Sequence, residues 1–408
     1  MSRLIFDGLK VIDCASYIAG PAAATVMSDF GAEVIKIEPP GLGDPYRAIA
    51  TRPPGAPTSP NWEMDSRNKK SLAIDLASGP GREILYRLVA GADVFITNYP
   101  PPVRRKLRIA HADLAPLNER MIYVSFTGYG ETGPEADKPG FDVTAWWARS
   151  GLMDLVRAGP DAIPARSLSG MGDHPSAMGV YGAIVTALYQ REKTGKGAHV
   201  GSSLLANGLW ANANSVQQQI LGETVAIQPP RHQSARPTLN HYCCRDGQWI
   251  ILTVVQTEAR WQRFAEVVGG GQLAADPRFA TQAGRDAHAA DLTVQLDEIF
   301  AGKDFAEWKP LLEANGLIFG IVQRIEDVAR DEQAIAAGVL VPFAGEDTLT
   351  VSSPFWLEGQ EKVAPRRAPS VGEHNQEVLA ALGYSDTDIA ELRAAGVISG
   401  TCRQETTP

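Results

Sequence analysis

The N-terminal half of the chain alternates short apolar segments with helical segments, and this alternation restricts the possible folds more than any other feature. Apolar runs with the length and β-branched content of buried strands occur at 9–14, 33–38, 71–76, 93–97 and 121–127. Helical patterns lie between them, the first opened by Gly20-Pro21. Strands that alternate with helices form βαβ units and a parallel sheet. The sequence therefore predicts an α/β protein with a Rossmann-like large domain.

The remaining chain has a different pattern and predicts a second domain. A chain of 408 residues exceeds one ordinary domain. Pro229, Pro230 and Pro237 indicate a linker, and Asp246-Gly247 between two apolar runs indicates a β-hairpin. We expect the large domain to begin with 1–228 and a smaller α+β domain to occupy 229–330. The segment 331–408 is expected to return to the large domain, its last helix starting at a Ser385 capping box.

Charge and composition disfavour several classes of partner. The formal net charge is −9 without a basic block, which disfavours nucleic acid and anionic membranes. No apolar run is long enough for a membrane span, and the first fourteen residues lack a signal-peptide core. Four cysteines are too few for a disulfide framework, so we expect a cytoplasmic protein.

Several common active-site motifs are missing from the sequence. The first strand is followed by Ala15-Ser16-Tyr17-Ile18-Ala19-Gly20-Pro21 rather than G-x-G-x-x-G, which disfavours nicotinamide and flavin dehydrogenases. The seven histidines have no metal-ligand spacing. We therefore expect neither a metal nor a permanently bound cofactor.

Asp173 is the residue whose role decides the function. It follows Gly170-Met171-Gly172 and precedes a long helical pattern. A carboxylate at that place can cap the helix or act as a nucleophile, because the helix end favours its ionised form. The glycines would let a ligand approach the backbone closely. The neighbouring His174 is expected on the surface, since adjacent side chains diverge at a helix start.

Two other groups of residues have a structural and a functional interpretation. Trp146-Trp147 is more typical of a core, although it could line an apolar substrate pocket. Lys69-Lys70 and Arg104-Arg105-Lys106 are typical of a solvated face, and the alternative is a phosphate site at the carboxyl edge of the sheet.

An ordered set of short motifs resembles the class III CoA-transferases, the CaiB/BaiF family that includes formyl-CoA transferase. The set spans nearly the whole chain and includes Ala19-Gly20-Pro21, Gly31–Glu38, Asn68–Ser71, Gly128–Pro134, Pro139–Asp142, Gly172-Asp173, Lys193–Gly197 and Gly372–His374. The resemblance implies a Rossmann-like domain, a small domain and two interlocked chains in a homodimer. It also implies that an acyl-CoA donor and a free carboxylic acid are the substrates.

The resemblance also suggests roles for individual residues. A tetrahedral oxyanion needs backbone N–H donors, which a glycine-rich turn can provide, and Gly128, Gly130 and Gly172 are the candidates. The resemblance implies that Asp173 is the nucleophile. The residues that it implies near CoA are Tyr17, Ile74, Asn98, Tyr99, Arg104 and Lys106. Substrate-pocket candidates are Phe141, Trp146 and Trp147. The chain departs from formyl-CoA transferase at Pro39, where a basic residue is missing, and at 234–240, where the glycine-rich loop is missing.

Three functional hypotheses follow from these residues. The first is CoA transfer through an aspartyl anhydride and an aspartyl-CoA thioester. The second is an α-methylacyl-CoA racemase of the same fold, which is disfavoured because Phe141 stands where such enzymes have a histidine. The third is a CoA-binding subunit without catalysis, which would not need Asp173.

Overall fold

A computed structural model describes residues 4–49, 52–53, 58–253 and 257–399. The strands are β1 Lys10–Asp13, β2 Glu33–Glu38, β3 Lys70–Ala73, β4 Val94–Thr97, β5 Ile122–Thr127, β6 Ala198–Ser203, β7 His241–Cys243, β8 Trp249–Leu252, β9 Phe319–Ile321, β10 Leu340–Pro342 and β11 Leu349–Val351.

The helices follow the strands in the order predicted for the N-terminal half. The α-helices are α1 Ala19–Asp29, α2 Pro60–Ser66, α3 Gly79–Ala90, α4 Pro101–Leu107, α5 His111–Leu114, α6 Leu152–Leu155, α7 Asp173–Thr194, α8 Leu204–Ala211, α9 Ala213–Ile220, α10 Glu258–Gly269, α11 Gln272–Ala275, α12 Gln282–Ala287, α13 Ala289–Phe300, α14 Phe305–Ala314, α15 Ile325–Val328, α16 Glu332–Ala336, α17 Asn375–Ala381 and α18 Asp386–Ala394. Short 3₁₀ helices occur at Pro45–Ala48, Ala115–Leu117, Arg231–Gln233 and Pro237–Leu239, and a π-helix at Asp142–Ala148.

The main sheet has six parallel strands in the order β3-β2-β1-β4-β5-β6. This order is that of the Rossmann fold. Strands β2 and β3 follow on one side of β1 and strands β4 to β6 on the other, so the strand order changes direction between β1 and β4. Alternate residues of each strand face opposite sides of the sheet, so Val11 and Ile12 belong to two different cores. The predicted α/β fold class is confirmed.

Each face of the sheet is covered by helices that bury apolar side chains. On one face the core includes α1, whose eleven residues are all buried, and the inner side of α7. On the other face Ile84 and Leu88 of α3 pack with Leu379 of α17 and Ile389 of α18. Helices on both faces are typical of parallel sheets, because every strand must be shielded from water.

The described chain folds into two compact units. The first comprises the described residues of Met1–Met153, Arg166–Glu223 and Glu332–Pro408, and it contains the parallel sheet and the hairpin β10-β11. The second comprises Asp154–Ala165 and the described residues of Thr224–Asp331. It contains the antiparallel sheet β7-β8-β9 and an aromatic core that includes Phe264, Phe300 and Trp308. None of the described helices is long and apolar enough to cross a membrane.

The predicted hairpin is present, and the helical segment 204–221 is divided into two helices. β7 and β8 pair antiparallel across the turn that contains Asp246-Gly247. The helical pattern at 204–221 forms two helices, α8 and α9, that meet at Asn212. The Asn212 amide donates a 3.0 Å hydrogen bond to the Ser150 carbonyl, a partner 62 positions away that local periodicity cannot indicate.

Candidate active site

The candidate site lies where the strand order of the main sheet reverses. The segments after β1 and β4 meet there, as expected for the crevice of an open α/β sheet. Asn98 follows β4 and joins the two segments: its side chain accepts a hydrogen bond from the Ser16 N–H at 2.8 Å and donates one to the Ser16 carbonyl at 2.6 Å. Asn98 therefore holds the segments after β1 and β4 together at the crevice.

A cavity of about 280 Å³ opens at this crevice. Strand-end segments and the loop before the π-helix supply its wall, which consists of Ser16, Tyr17, Ile18, Ala19, Pro45, Asn98, Tyr99, Pro100, Pro101, Phe126, Thr127, Gly128, Ala136, Lys138, Pro139, Gly140, Phe141, Asp173 and Leu204. Most of these side chains are apolar. Asp173 is the single carboxylate among the described residues of the wall.

Asp173 is the first residue of the 22-residue helix α7, and Gly172 is the residue before that helix. Gly172 occupies the N-cap position, so no side chain caps the start of this helix, and no hydrogen bond from a described residue contributes to the pKa of the Asp173 carboxyl group. Burial, together with the nearby carboxylate of Asp142, raises the pKa of Asp173 to about 7. The capping interpretation therefore lacks the hydrogen bond that it requires.

Gly172 is required by the close packing of Trp146. A Cβ atom at Gly172 would lie 2.6 Å from the indole Cγ of Trp146. Trp146 belongs to the π-helix, a rare element that is often found at functional sites. The buried Asp142 at the start of that helix accepts a hydrogen bond from the Gly172 N–H at 3.4 Å. The π-helix therefore sets the backbone position from which Asp173 projects.

Trp146 and Trp147 lie in the core, and neither indole lines this cavity. Both residues are almost fully buried, and their rings stack with centroids 5.9 Å apart. The cavity wall instead receives Phe141, whose ring meets that of Tyr17 edge to face at 5.4 Å. The apolar lining therefore comes from other aromatic residues than the tryptophan pair.

A buried group of four charges supports the segment after β1. Lys36 lies 2.8 Å from Asp44, and Lys69 lies 2.8 Å from Asp13, with all four side chains essentially inaccessible to water. Lys69 also donates to the Pro21 carbonyl, and Asp44 accepts from the Tyr17 N–H at 3.3 Å. Tyr17 has a φ of 66°, which is unusual for a residue other than glycine. The charge group therefore stabilises an unusual backbone at the cavity wall.

The fold separates Lys69 from Lys70. Lys70 is partly exposed and pairs with Glu33 and Glu377, which agrees with a solvated face. Lys69 is buried in an ion pair with Asp13, so both interpretations were wrong for this residue. The signal that could have indicated this was the pair of unmatched charges Asp13 and Lys36 inside two apolar strands. Buried charges of this kind require partners.

The basic cluster after β4 is divided by the fold. The Arg104 guanidinium is buried and forms an ion pair with Glu131, whereas Lys106 is exposed. Ile74 is also buried, and its backbone forms an isolated β-bridge with Ile398, so its side chain has almost no exposed surface for contact with CoA. Of the residues implied near CoA, Tyr17, Asn98 and Tyr99 line the cavity.

The N–H groups of two of the three candidate oxyanion donors already make hydrogen bonds within the protein. Gly130 already donates its N–H to the Thr127 hydroxyl at 2.9 Å, and Gly172 donates to Asp142. Gly128 lies on the cavity wall, and a Cβ there would come within 2.9 Å of the Gly140 Cα. The close approach of these two backbones explains why both positions are glycine.

His174 is partly exposed, in agreement with the surface position expected for it, and a buried carboxylate holds its ring. Its ring Nε2 lies 2.9 Å from an oxygen of Asp65, which is 109 positions earlier in the chain. The other Asp65 oxygen accepts a 2.8 Å hydrogen bond from the Tyr46 hydroxyl. The hydrogen bond to Asp65 raises the pKa of His174, although burial opposes that change.

These features define an α/β enzyme of the Rossmann type that lacks the dinucleotide loop and presents one carboxylate in its crevice. The chain belongs to CoA-transferase family III, whose model matches residues 6–375. The family predicted from the short motifs is confirmed.

Characterised relatives cover almost the whole chain. It is 33% identical over 97% of its length to the complete (R)-2-hydroxy-4-methylpentanoate CoA-transferase of Clostridioides difficile. It is 30% identical to the cinnamoyl-CoA:phenyllactate CoA-transferase of Clostridium sporogenes, over 95% of this chain and 96% of that one. A CaiB/BaiF family protein from Brucella suis has a similar structure, with a TM-score of 0.83 and 29% identity over 93% of this chain and 99% of that one.

Proposed function

We propose that the protein transfers CoA from an acyl-CoA thioester to a free carboxylic acid, with Asp173 as the covalent nucleophile. One observation supports this most: Asp173 is the single described carboxylate on the wall of the cavity, and its raised pKa has burial and nearby charges as causes, with no hydrogen bond among them. A nucleophile needs such freedom, whereas a structural carboxylate is normally paired.

The proposed reaction begins when an Asp173 oxygen attacks the carbonyl carbon of the thioester. The C–S bond breaks, CoA leaves as a thiolate, and a mixed anhydride joins the acyl group to Asp173. The thiolate then attacks the aspartyl carbonyl, which releases the first carboxylic acid and leaves an aspartyl-CoA thioester. Covalent catalysis of this kind divides one difficult exchange into easier steps.

The second half of the reaction repeats these steps in the opposite direction. The acceptor carboxylate attacks the aspartyl thioester, and the thiolate leaves again. Attack of the thiolate on the acceptor carbonyl then forms the new acyl-CoA and regenerates the Asp173 carboxylate. The mixed anhydrides hydrolyse if water enters, and the apolar wall of Ile18, Phe126 and Leu204 is suited to excluding it.

We propose that the acyl groups are apolar and of moderate size. The wall near Asp173 carries Tyr17, Phe141 and Leu204, whose apolar surfaces suit an apolar acyl chain. Two relatives are named for 2-hydroxy acids with apolar side chains. Paired incubation of acyl-CoA donors with branched, aromatic and dicarboxylic acids, read by mass spectrometry, tests this. Preference for dicarboxylic acids would contradict it.

The test of the nucleophile is the substitution Asp173→Asn. The amide cannot form the anhydride, so CoA transfer should fall at least about a thousandfold, or roughly 4 kcal/mol of barrier. Wild-type enzyme mixed with acyl-CoA and then hydroxylamine should acquire a hydroxamate at Asp173, detected by peptide mass spectrometry.

A matched control is Asp386→Asn, because Asp386 is also the first residue of a helix. This variant should transfer CoA at the wild-type rate. Near-normal transfer by Asp173→Asn, or a hydroxamate on another carboxylate, would end the assignment of Asp173.

A further inference from the structure

The ring of His174 lies between two hydrogen-bond acceptors. Nε2 is 2.9 Å from Asp65 Oδ1, and Nδ1 is 3.3 Å from the Gly170 carbonyl oxygen. A neutral imidazole has only one N–H and could satisfy one of these acceptors. The imidazolium has two and satisfies both, so the arrangement favours the charged ring.

Asp65 is well suited to hold such a cation. Its side chain is 1% exposed, whereas that of His174 is 43% exposed. Both Asp65 oxygens are used, one by His174 and the other by the Tyr46 hydroxyl. The Tyr46 N–H in turn donates to Asp44 at 2.9 Å, and Asp44 pairs with Lys36. A continuous set of hydrogen bonds therefore fixes the position of the histidine ring.

The other charged groups near Asp173 and His174 are either carboxylates or cations paired with other carboxylates. His174 is therefore the cation that can act on Asp173. The carboxylates of Asp142 and Asp65 both disfavour a negative charge on Asp173, and the Tyr46 phenol is neutral. Arg67 lines a second cavity with His174, but its guanidinium is paired with Asp29 at 2.6 Å. Lys138 is on the wall of the site, where its ammonium pairs with Glu135 at 2.8 Å.

We propose that His174 is a positioning residue: held as an imidazolium between Asp65 and the Gly170 carbonyl, it keeps a positive charge beside Asp173 and favours the ionised, nucleophilic carboxylate. This role rests on the proposed function of Asp173. It also explains why a half-buried carboxylate with two acidic neighbours is available for attack. His174 acts through Asp173 and forms no bond with the substrate.

The charge on His174 can be measured without any transferase assay. In protein with ¹⁵N-labelled histidine, the ring nitrogens of His174, assigned by their loss in His174→Gln, should both report N–H groups at pH 7. The titration midpoint of the ring should lie above that of an ordinary histidine. It should fall in Asp65→Asn and also in Asp173→Asn, because each substitution removes a neighbouring negative charge.

The effect on catalysis appears in the pH dependence of kcat/KM. In His174→Gln the acid limb of the kcat/KM profile should move to higher pH by about one unit, because the positive charge beside the Asp173 carboxyl group has been removed. Rates well above the limb should stay close to those of the wild type. His174→Lys restores a cation and should return the limb towards its original position.

His288→Gln is a matched control, because His288 is 44% exposed and has Asp291 at 3.3 Å. It should leave the acid limb unchanged. A His174→Gln variant that loses the same fraction of activity at every pH, or a ring that titrates normally in all variants, would overturn the proposal. If the wild type transfers no CoA, the proposed function fails, whereas the NMR titration still tests the charge on His174.

Discussion

At the residue scale, the environment of Asp173 predicts how the stability of the protein depends on pH. Burial and Asp142 raise the pKa of Asp173 from 3.8 to about 7 in the folded chain. A group whose pKa is raised on folding stabilises the folded state at low pH, and that contribution is lost as the pH rises through the folded pKa. The ionised carboxylate therefore costs stability above pH 7.

Asp173→Asn should consequently stabilise the protein at pH 8 relative to the wild type. Its advantage in the free energy of unfolding should grow between pH 5 and pH 8 by on the order of 1 kcal/mol, less than the full pKa change implies because the group is partly exposed. Urea denaturation at the two pH values measures this. A variant that is less stable than the wild type at pH 8 would contradict the prediction, because it would mean that the surroundings of Asp173 favour its ionised form.

The adjacent lysines at 69 and 70 should differ sharply in their contributions to stability. Lys69→Met leaves Asp13 buried without its closest cation, and breaking a buried pair in this way costs about 3–5 kcal/mol. Lys70→Met removes a partly exposed pair that is worth about 1 kcal/mol or less. Chemical denaturation of both variants measures the contrast. Equal losses would mean that the buried charge group contributes little.

At the scale of elements, the packing of the π-helix against the start of α7 should be sensitive to one methyl group. Gly172→Ala would place its Cβ against the Trp146 ring, and overpacking of this kind costs about 1–3 kcal/mol. Because the strain displaces the residue that carries Asp173, transfer activity should fall as well. Differential scanning calorimetry and a transferase assay measure the two effects.

Gly182→Ala in the same helix is the control for Gly172→Ala. Apart from its chain neighbours and the nearby backbone of its own helix, no described atom lies within 4 Å of the new Cβ, so the higher helix propensity of alanine should stabilise the protein by up to about 1 kcal/mol. Activity should be unchanged. If Gly172→Ala is also stabilising, the indole contact does not constrain the backbone at Asp173.

At the scale of the whole molecule, α8 and α9 expose large apolar side chains. Trp210 is 83% exposed and Ile220 is 71% exposed, with Leu221 directly after. Exposed apolar surface of this kind marks interaction sites. We propose that a second copy of the chain covers it, in agreement with the interlocked dimer that the family resemblance implies.

The protein should therefore sediment as a dimer at nanomolar concentration, because interlocked chains cannot separate without opening. Trp210→Lys combined with Ile220→Lys should reduce the yield of dimer, whereas Leu42→Lys, at an exposed site outside these helices, should not. A wild-type chain that sediments as an active monomer would contradict this prediction.

Local sequence determined much of the fold of this protein. Runs of β-branched residues, their alternation with helical patterns and the Asp246-Gly247 turn predicted the parallel sheet and the hairpin, because these signals depend on neighbours in the chain. Asp173 could be singled out for the same reason, since glycines and a helix start surround it in the sequence.

Only the tertiary structure decided which distant groups meet. The contact of Asp65 with His174, the burial of Lys69 against Asp13 and the packing of Trp146 on Gly172 join positions far apart in sequence. Periodicity predicts that a residue is on a helix or strand, but the partner of a buried charge or ring depends on how the elements pack. The sequence therefore indicated the candidate nucleophile, and the packing around it determined its charge, its freedom from hydrogen bonds and its orientation.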